Sequence, residues 1–356
     1  MYQRALDGKE KALGPDHPSK LNTVGNLGNL YHAQGKLDKA ERMCQRALAG
    51  YEKALGPDHP STLQTANNLG ALYHTQGKLD KAEQMCQRAL AGYENALGPD
   101  HTSTLDTVNN LGLLYRDQGK LDEAEKMYQR ALAGYEKAFG PDHTSTLQTV
   151  NNLGALYHTQ GKLDEAERMC QRALAGYENA LGPDHPSTLQ TVNNLGSLYH
   201  TKGKLDEAER MCQRALAGYE KALGPDHTST LDTVNNLGVL YRDQGKLDEA
   251  EKMYQRVLAG KEKALGPDHT STLNTVGNLG NLYHRTGMLD HAEQVFQRAF
   301  AGYEKIYGLS HHVTTRALKQ LTLIRSEKGK IFIWYTLNIS ANSLSKQVKV
   351  LRYYPE

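Results

Sequence analysis

The sequence predicts an all-α chain, an α-solenoid of stacked helix hairpins, and three observations carry that expectation. The first is a fixed period: Gly-Pro-Asp-His recurs every 42 residues, at Gly14, Gly56, Gly98, Gly140, Gly182, Gly224 and Gly266, with a degraded echo at Gly308–His311. Such a period marks an array of one small unit, which cannot bury its apolar face alone and must stack on its neighbours. The second is that apolar residues fall into the i, i+3, i+4 rhythm of a helix twice in every period. The third is punctuation by glycine and proline between those two rhythms and after them. Propeller blades share this range of periods. They need four strands, however, and this unit is rich in Ala, Leu, Glu, Lys and Gln with little β-branched content.

Residues 57–98 show the unit. Asp58 precedes His59-Pro60-Ser61, so Asp58 is expected to cap a first helix with Pro60 in its first turn. Leu63, Ala66, Leu69, Gly70, Leu72 and Tyr73 form the buried side, and Gly77 ends the helix. Leu79 to Glu83 opens a second helix, where Asp80 and Glu83 have the spacing of a capping box. Its expected buried side is Ala82, Met85, Cys86, Ala89, Leu90, Tyr93, Ala96 and Leu97, and Gly98-Pro99 stops it. One local rule is broken: Gly50, Gly92, Gly134, Gly176, Gly218, Gly260 and Gly302 sit inside second helices, each at a cost of up to about 1 kcal/mol relative to Ala. Either a neighbouring backbone approaches closely there, or duplication has simply copied the glycine.

The four cysteines, Cys44, Cys86, Cys170 and Cys212, share one slot that other copies fill with Tyr128, Tyr254 or Phe296. A slot taking either Cys or an aromatic is a packing position, so buried reduced thiols are expected there.

The array has two unusual ends. Residues 1–14 align with the middle of a second helix, which predicts a truncated half repeat and a longer parent protein with a missing N-terminal domain. Seven hairpins are expected over 15–308 and a more polar capping helix over 309–329, with Ala317, Leu318, Leu321 and Ile324 on its apolar side. The tail over 330–356 shares nothing with the repeat. It reads as an extension over the last helix, a disordered segment, or translated intron or shifted frame, the last being favoured.

Composition narrows the function classes. The 356 residues carry a formal charge of +2 with 23% charged residues, which gives no nucleic-acid footprint. Mean hydropathy is −0.65, and no apolar run approaches the ~18 residues of a membrane span. With no secretory signal pattern at the start, a soluble cytoplasmic protein without a membrane partner is expected. The Gly-Pro-Asp-His histidines lie in turns spread along the array, so no metal is expected. No phosphate loop, nucleophile elbow or isolated acid–base pair stands outside the repeat; neither an enzyme nor a cofactor is expected.

Leu69-Gly70 with Tyr73, followed by Ala82, Cys86 and Ala89, resembles the tetratricopeptide pattern. The run Asn67-Asn68-Leu69-Gly70-Ala71-Leu72-Tyr73, then Gln76-Gly77-Lys78-Leu79, Ala82-Glu83, Arg88-Ala89-Leu90 and Gly98-Pro99-Asp100-His101, is similar to the longer repeat of kinesin light chains. The resemblance covers about residues 1–329. It implies a right-handed superhelix whose first helices line an inner groove. The Gly-Tyr-Glu-Lys-Ala-Leu-Gly-Pro wording looks most like fungal arrays that follow a nucleotide-binding switch domain in NLR-like sensors.

Differences between copies locate a candidate surface. Counted from the leading leucine of each first helix (Leu21, Leu63 and so on), slots one, four, seven, eight and eleven cluster as core. Slots two, five, nine, twelve and thirteen change most and fall on the opposite half. Slot twelve holds His32, His74, Arg116, His158, His200, Arg242 and His284, and slot nine includes the apolar Leu113 and Val239. Slot six never changes: Asn26, Asn68, Asn110, Asn152, Asn194, Asn236 and Asn278. Asn67, Asn109, Asn151, Asn193 and Asn235 precede it in slot five. The resemblance implies that the slot-six amides hold the backbone of a bound peptide; tying one repeat to the next is the structural alternative. Lysines at slots two and five that would complete a carboxylate clamp are missing.

The expected function is a protein-interaction scaffold binding a protein or peptide along the inner face. The basic slot-twelve side chains would favour acidic patches. A sensor arm of an NLR-like regulator is the favoured setting. A kinesin-light-chain-like cargo adaptor is the alternative, although this sequence holds no heptad coiled coil. Near-identity of Leu105–Gly140 with Leu231–Gly266 points to recent block duplication.

Overall fold

A computed structural model describes residues 16–34 and 36–328. The half repeat over 1–14 and the tail over 330–356 lie outside the described residues. Among the described residues there are fifteen helices and no strand. The first helices of the hairpins are α1 (Pro18–Ala33), α3 (Pro60–Thr75), α5 (Thr102–Asp117), α7 (Thr144–Thr159), α9 (Pro186–Thr201), α11 (Thr228–Asp243) and α13 (Thr270–Arg285). Their second helices are α2 (Leu37–Leu55), α4 (Leu79–Leu97), α6 (Leu121–Phe139), α8 (Leu163–Leu181), α10 (Leu205–Leu223), α12 (Leu247–Leu265) and α14 (Leu289–Tyr307), and α15 (His312–Glu327) follows alone. The chain divides into two compact units, residues 1–198 and 199–356. In each unit, antiparallel hairpins pack on the hairpins next to them.

The caps correct two expectations. The first helix is capped by histidine rather than by Asp58: His59 Nδ1 accepts the Ser61 amide at 3.1 Å, with Pro60 at the first helical position. The same bond recurs from Ser103 to His101 and from Ser145 to His143, at 3.2 Å each. The second helix has no side-chain cap. It starts at Leu79 after Lys78, so Asp80 lies inside its first turn and Glu83 points to the next hairpin instead of forming a capping box. Gly98 ends it as expected, at φ +93°, a conformation that favours glycine.

The core follows the helical rhythm. Leu63, Ala66, Leu69, Leu72 and Tyr73 of α3 bury against Ala82, Cys86, Ala89 and Tyr93 of α4, with Met85, Leu90 and Leu97 half-buried around them. Ala96 is exposed, contrary to expectation, although Leu97 beside it packs against the core. The interior glycines have a steric reason, although the neighbour is a side chain and not a backbone. A Cβ on Gly92 would stand 2.4 Å from Leu63 Cδ2, and one on Gly134 would stand 2.4 Å from Leu105 Cδ2. The mirror contact explains the shared Cys/aromatic slot: Gly70 faces Cys86 Sγ and Gly112 faces the Tyr128 ring. All four cysteines are free and buried, and burial pushes the Cys86 thiol up to about 11.

Polar ties repeat with the period. The buried Thr62 and Thr104 hydroxyls donate to the Gly56 and Gly98 carbonyls at 2.8 Å, clasping each first helix to the turn before it. Glu83 accepts from Gln118 and Lys120 of the next hairpin at 2.9 Å, as Glu125 does from Gln160 and Lys162 at 3.1 and 2.9 Å. Second helices are joined by Arg130–Glu94 at 2.6 Å and Arg172–Glu136 at 2.5 Å. Among the described residues no helix is long and apolar enough to cross a membrane.

Candidate functional site

The first helices carry every candidate residue, and the slots do not all face outward. Slot five lies in the seam between neighbouring first helices: Asn67 and Asn151 are only 5% and 4% exposed, and Asn193 is also buried. Asn109 and Asn235 are half-buried. This corrects the grouping of slot five with the open face. A residue four along from the leading leucine turns toward the next hairpin, which a single-helix wheel cannot register.

Slots five and six form one lattice. Asn110 Nδ2 donates to Asn67 Oδ1 at 3.4 Å, Asn152 to Asn109 at 3.3 Å, and Asn194 to Asn151 at 3.1 Å. In the second unit Asn278 donates to Asn235 at 3.0 Å. The other side of the slot-six amide is engaged too: Gln64 donates to Asn68 Oδ1, Gln148 to Asn152 and Gln190 to Asn194, at 3.0 to 3.1 Å. Asn26, at the start of the described array, is exposed; Asn68 and Asn236 are half-buried. These bonds realise the tie from repeat to repeat.

Slot twelve reaches across the same seam further along the helix. His74 Nε2 meets Asp117 Oδ2 at 2.8 Å, His200 meets Asp243 at 3.0 Å, and His284 meets Glu327 at 2.8 Å. Arg116 and Arg242 fold onto the adjoining Asp117 and Asp243 through Nε, at 3.0 and 2.9 Å. His32 bonds Thr75 Oγ1 at 2.9 Å, and burial holds both His32 and His158 below the ordinary histidine value. Burial pushes the Asp117 carboxyl up, but the His74 bond and the Arg116 guanidinium outweigh it and hold the group low. At slot nine, Leu113 is half-buried, and Val239 packs beside Ala250, Tyr254 and Leu279.

A polar cleft of about 250 Å³ opens in the first unit beside the lattice. Asp106 and Asn109 of α5, Ser145 and Gln148 of α7, and Tyr135 and Tyr177 from second helices line it. The Tyr135 hydroxyl donates to Asp106 Oδ1, and the Tyr177 hydroxyl to Gln148 Oε1 at 3.5 Å. Burial, then the Asp106 bond and charge, push the Tyr135 phenol far up. Sequence reasoning put Asp106 and Gln148 in the variable slot two and Asn109 in slot five, but it did not name Tyr135, Ser145 or Tyr177. One signal was there to read: the tyrosine at 51, 93, 135, 177, 219 and 303 gives way to lysine at 261, as it does at Lys9 of the half repeat.

A family model described as tetratricopeptide repeat matches residues 1–43, 22–95, 65–137, 102–179, 145–221, 190–263 and 229–305. No curated protein matches the sequence. Among solved structures, the nearly identical TPR-like repeats of a Podosopora anserina putative kinesin light chain are 25% identical, with TM-score 0.49 over 58% of this chain and 98% of that one. BtubC (BKLC) from P. vanneervenii is 23% identical, with TM-score 0.50 over 67% and 93%. The Rap conjugation gene regulator of the plasmid pLS20, in complex with the Phr* peptide, is 18% identical, with TM-score 0.62 over 82% and 77%.

Proposed function

The chain belongs to the tetratricopeptide repeat family, and on that premise we propose that it is a protein-interaction scaffold. A partner protein or peptide lies across successive first helices and touches slots two, nine and twelve. The asparagine lattice beneath holds those helices at fixed spacing. One observation carries the reading: side chains differ between copies at the same slots of the first helices, beside an asparagine lattice that recurs at Asn110, Asn152 and Asn194 in the first unit and at Asn278 in the second. The Rap regulator of similar fold was solved with a Phr* peptide, which supports a peptide as the ligand class.

The finer reading is the sensor part of a larger NLR-like regulatory protein, supported by the Gly-Tyr-Glu-Lys-Ala-Leu-Gly-Pro wording of the repeat. A kinesin-light-chain-like cargo adaptor is the alternative. Genomic sequence upstream of Met1 separates them, a P-loop domain for the first and a heptad coiled coil for the second. A preference for acidic partners is less favoured at Arg116, Arg242, His74, His200 and His284, which Asp117, Asp243 and Glu327 already engage.

The test immobilises the chain, identifies retained partners and compares two triple variants. Ala71→Arg with Leu113→Arg and Ala155→Arg crowds slot nine; it should weaken a retained partner by tenfold or more, about the effect of one hot-spot residue, at unchanged Tm. Asn110→Ala with Asn152→Ala and Asn194→Ala should lower Tm by breaking the lattice. Partners retained equally by the slot-nine variant, or none above background, would overturn the scaffold reading.

A further inference from the structure

The block duplication places two versions of one site in the chain, and one of them is filled from within. In the second unit Lys261, 4% exposed, stands where the other six full hairpins have tyrosine. Its ammonium lies 2.8 Å from Asp232 Oδ1 and 2.8 Å from Ser271 Oγ. The duplicated partners of those two acceptors, 126 residues earlier, are Asp106 and Ser145, and both line the 250 Å³ cleft of the first unit. There Tyr135 replaces the lysine, and its hydroxyl takes one oxygen of Asp106. A neutral phenol leaves the carboxylate charge uncompensated. Among the described residues no cation pairs with Asp106. Slot two is otherwise Asn or Gln, so Asp106 and Asp232 are its only carboxylates.

We propose that the cleft at Asp106, Ser145 and Gln148 takes the side-chain ammonium of a lysine on the bound partner, as Asp232 and Ser271 take that of Lys261. This rests on the scaffold reading and names one recognition element within it. A carboxylate and a hydroxyl 2.8 Å from one ammonium are a demonstrated cage in this very sequence, with the charge-assisted bonds that such a cage supplies. Of the remaining lining, Gln148 Oε1 keeps a lone pair beside the Tyr177 bond for the third N–H, and Tyr177 offers an apolar side for the methylene stem.

The experiment uses the full chain and three small probes followed by amide chemical shifts: Nα-acetyl-lysine-N-methylamide, its Nε-acetylated form, and alanine-N-methylamide with a free α-amine. The lysine probe should give saturable shifts at Asp106, Ser145 and Gln148. Nε-acetylation, or Asp106→Asn, should weaken it by about tenfold or more, the loss expected for hydrogen bonds to a charged group. Tyr135→Lys copies a residue the array already accommodates and should abolish the shifts by filling the cage, with Tm unchanged or raised. Equal binding of the acetylated probe, lysine binding that survives Tyr135→Lys, or a response to the α-amine probe alone would each overturn the proposal. Were the lysine probe silent while partners still dissociate from the slot-nine variant, only this assignment would fall and the scaffold would stand.

Discussion

At the scale of single residues, the repeat is held in shape by what it leaves out. Gly134 sits in mid-helix where alanine would gain up to about 1 kcal/mol in propensity. The added carbon would stand 2.4, 2.7 and 3.1 Å from Cδ2, Cδ1 and Cγ of Leu105, so the whole isobutyl group would have to move. Leu105 is 1% exposed and has nowhere to go, and overpacking of this kind costs about 1–3 kcal/mol. Gly134→Ala should therefore lower the stability measured by urea unfolding; a gain would mean that the leucine yields freely. The sequence displayed the anomalous glycine in every copy but not its cause, because the leading leucine lies 29 residues away along the chain. The cleft was hidden for a similar reason. Asp106 and Ser145 belong to different hairpins, and only the exceptional Lys261 hinted that slot two and the next first helix share a site.

At the scale of helices, one histidine cap responds to mild acid: His269, whose Nδ1 accepts the Ser271 amide at 3.2 Å. An imidazole caps a helix through Nδ1 only while that nitrogen is unprotonated. Burial, aided by the Lys261 ammonium, holds His269 below the ordinary value of 6.5, and burial does the same for His32 and His158. With folded values depressed, the unfolded chain takes up protons first as pH falls below 6.5, so folded stability drops. Tm should be level at neutral pH and decline as pH falls from 6.5 through the folded values. His269→Asn keeps a capping oxygen without a titrating group, and its decline should be shallower. An identical slope in that variant would remove His269 from the account. Helix positions and the glycine stops were legible from periodicity and punctuation alone. The cap chemistry was misread, since Asp58 and Asp80 match common capping patterns while the backbone puts His59 and Lys78 at the cap positions.

At the scale of the whole chain, each tie links like to like one period apart, so the array should tolerate loss of a complete period. Removing residues 99–140 would bring Gln160 and Lys162 to Glu83 in place of Gln118 and Lys120, and Asn152 to Asn67 in place of Asn110. These seam contacts would be remade between the same residue types, while His74 would meet Thr159 in place of Asp117, as His32 meets Thr75. The shortened chain should unfold cooperatively in urea with a smaller m-value, in line with the smaller surface it exposes. Removing half a period would set a first helix where a second belongs; an equally cooperative transition there would contradict the register argument.

The sequence by itself determined the period, the two helices of each hairpin, their apolar sides and the glycine stops. All of these depend on spacings within one helix or on a repeat visible by inspection. Only the tertiary structure decided which polar side chains face a neighbouring hairpin and which remain for a ligand. It placed the slot-five asparagines in the seam, closed the slot-twelve arginines onto acids, and, among the described residues, left Asp106 without a cation. The physical reason is that a helix wheel knows one cylinder, whereas the fate of a polar group depends on the partner brought to it by the cylinder packed alongside.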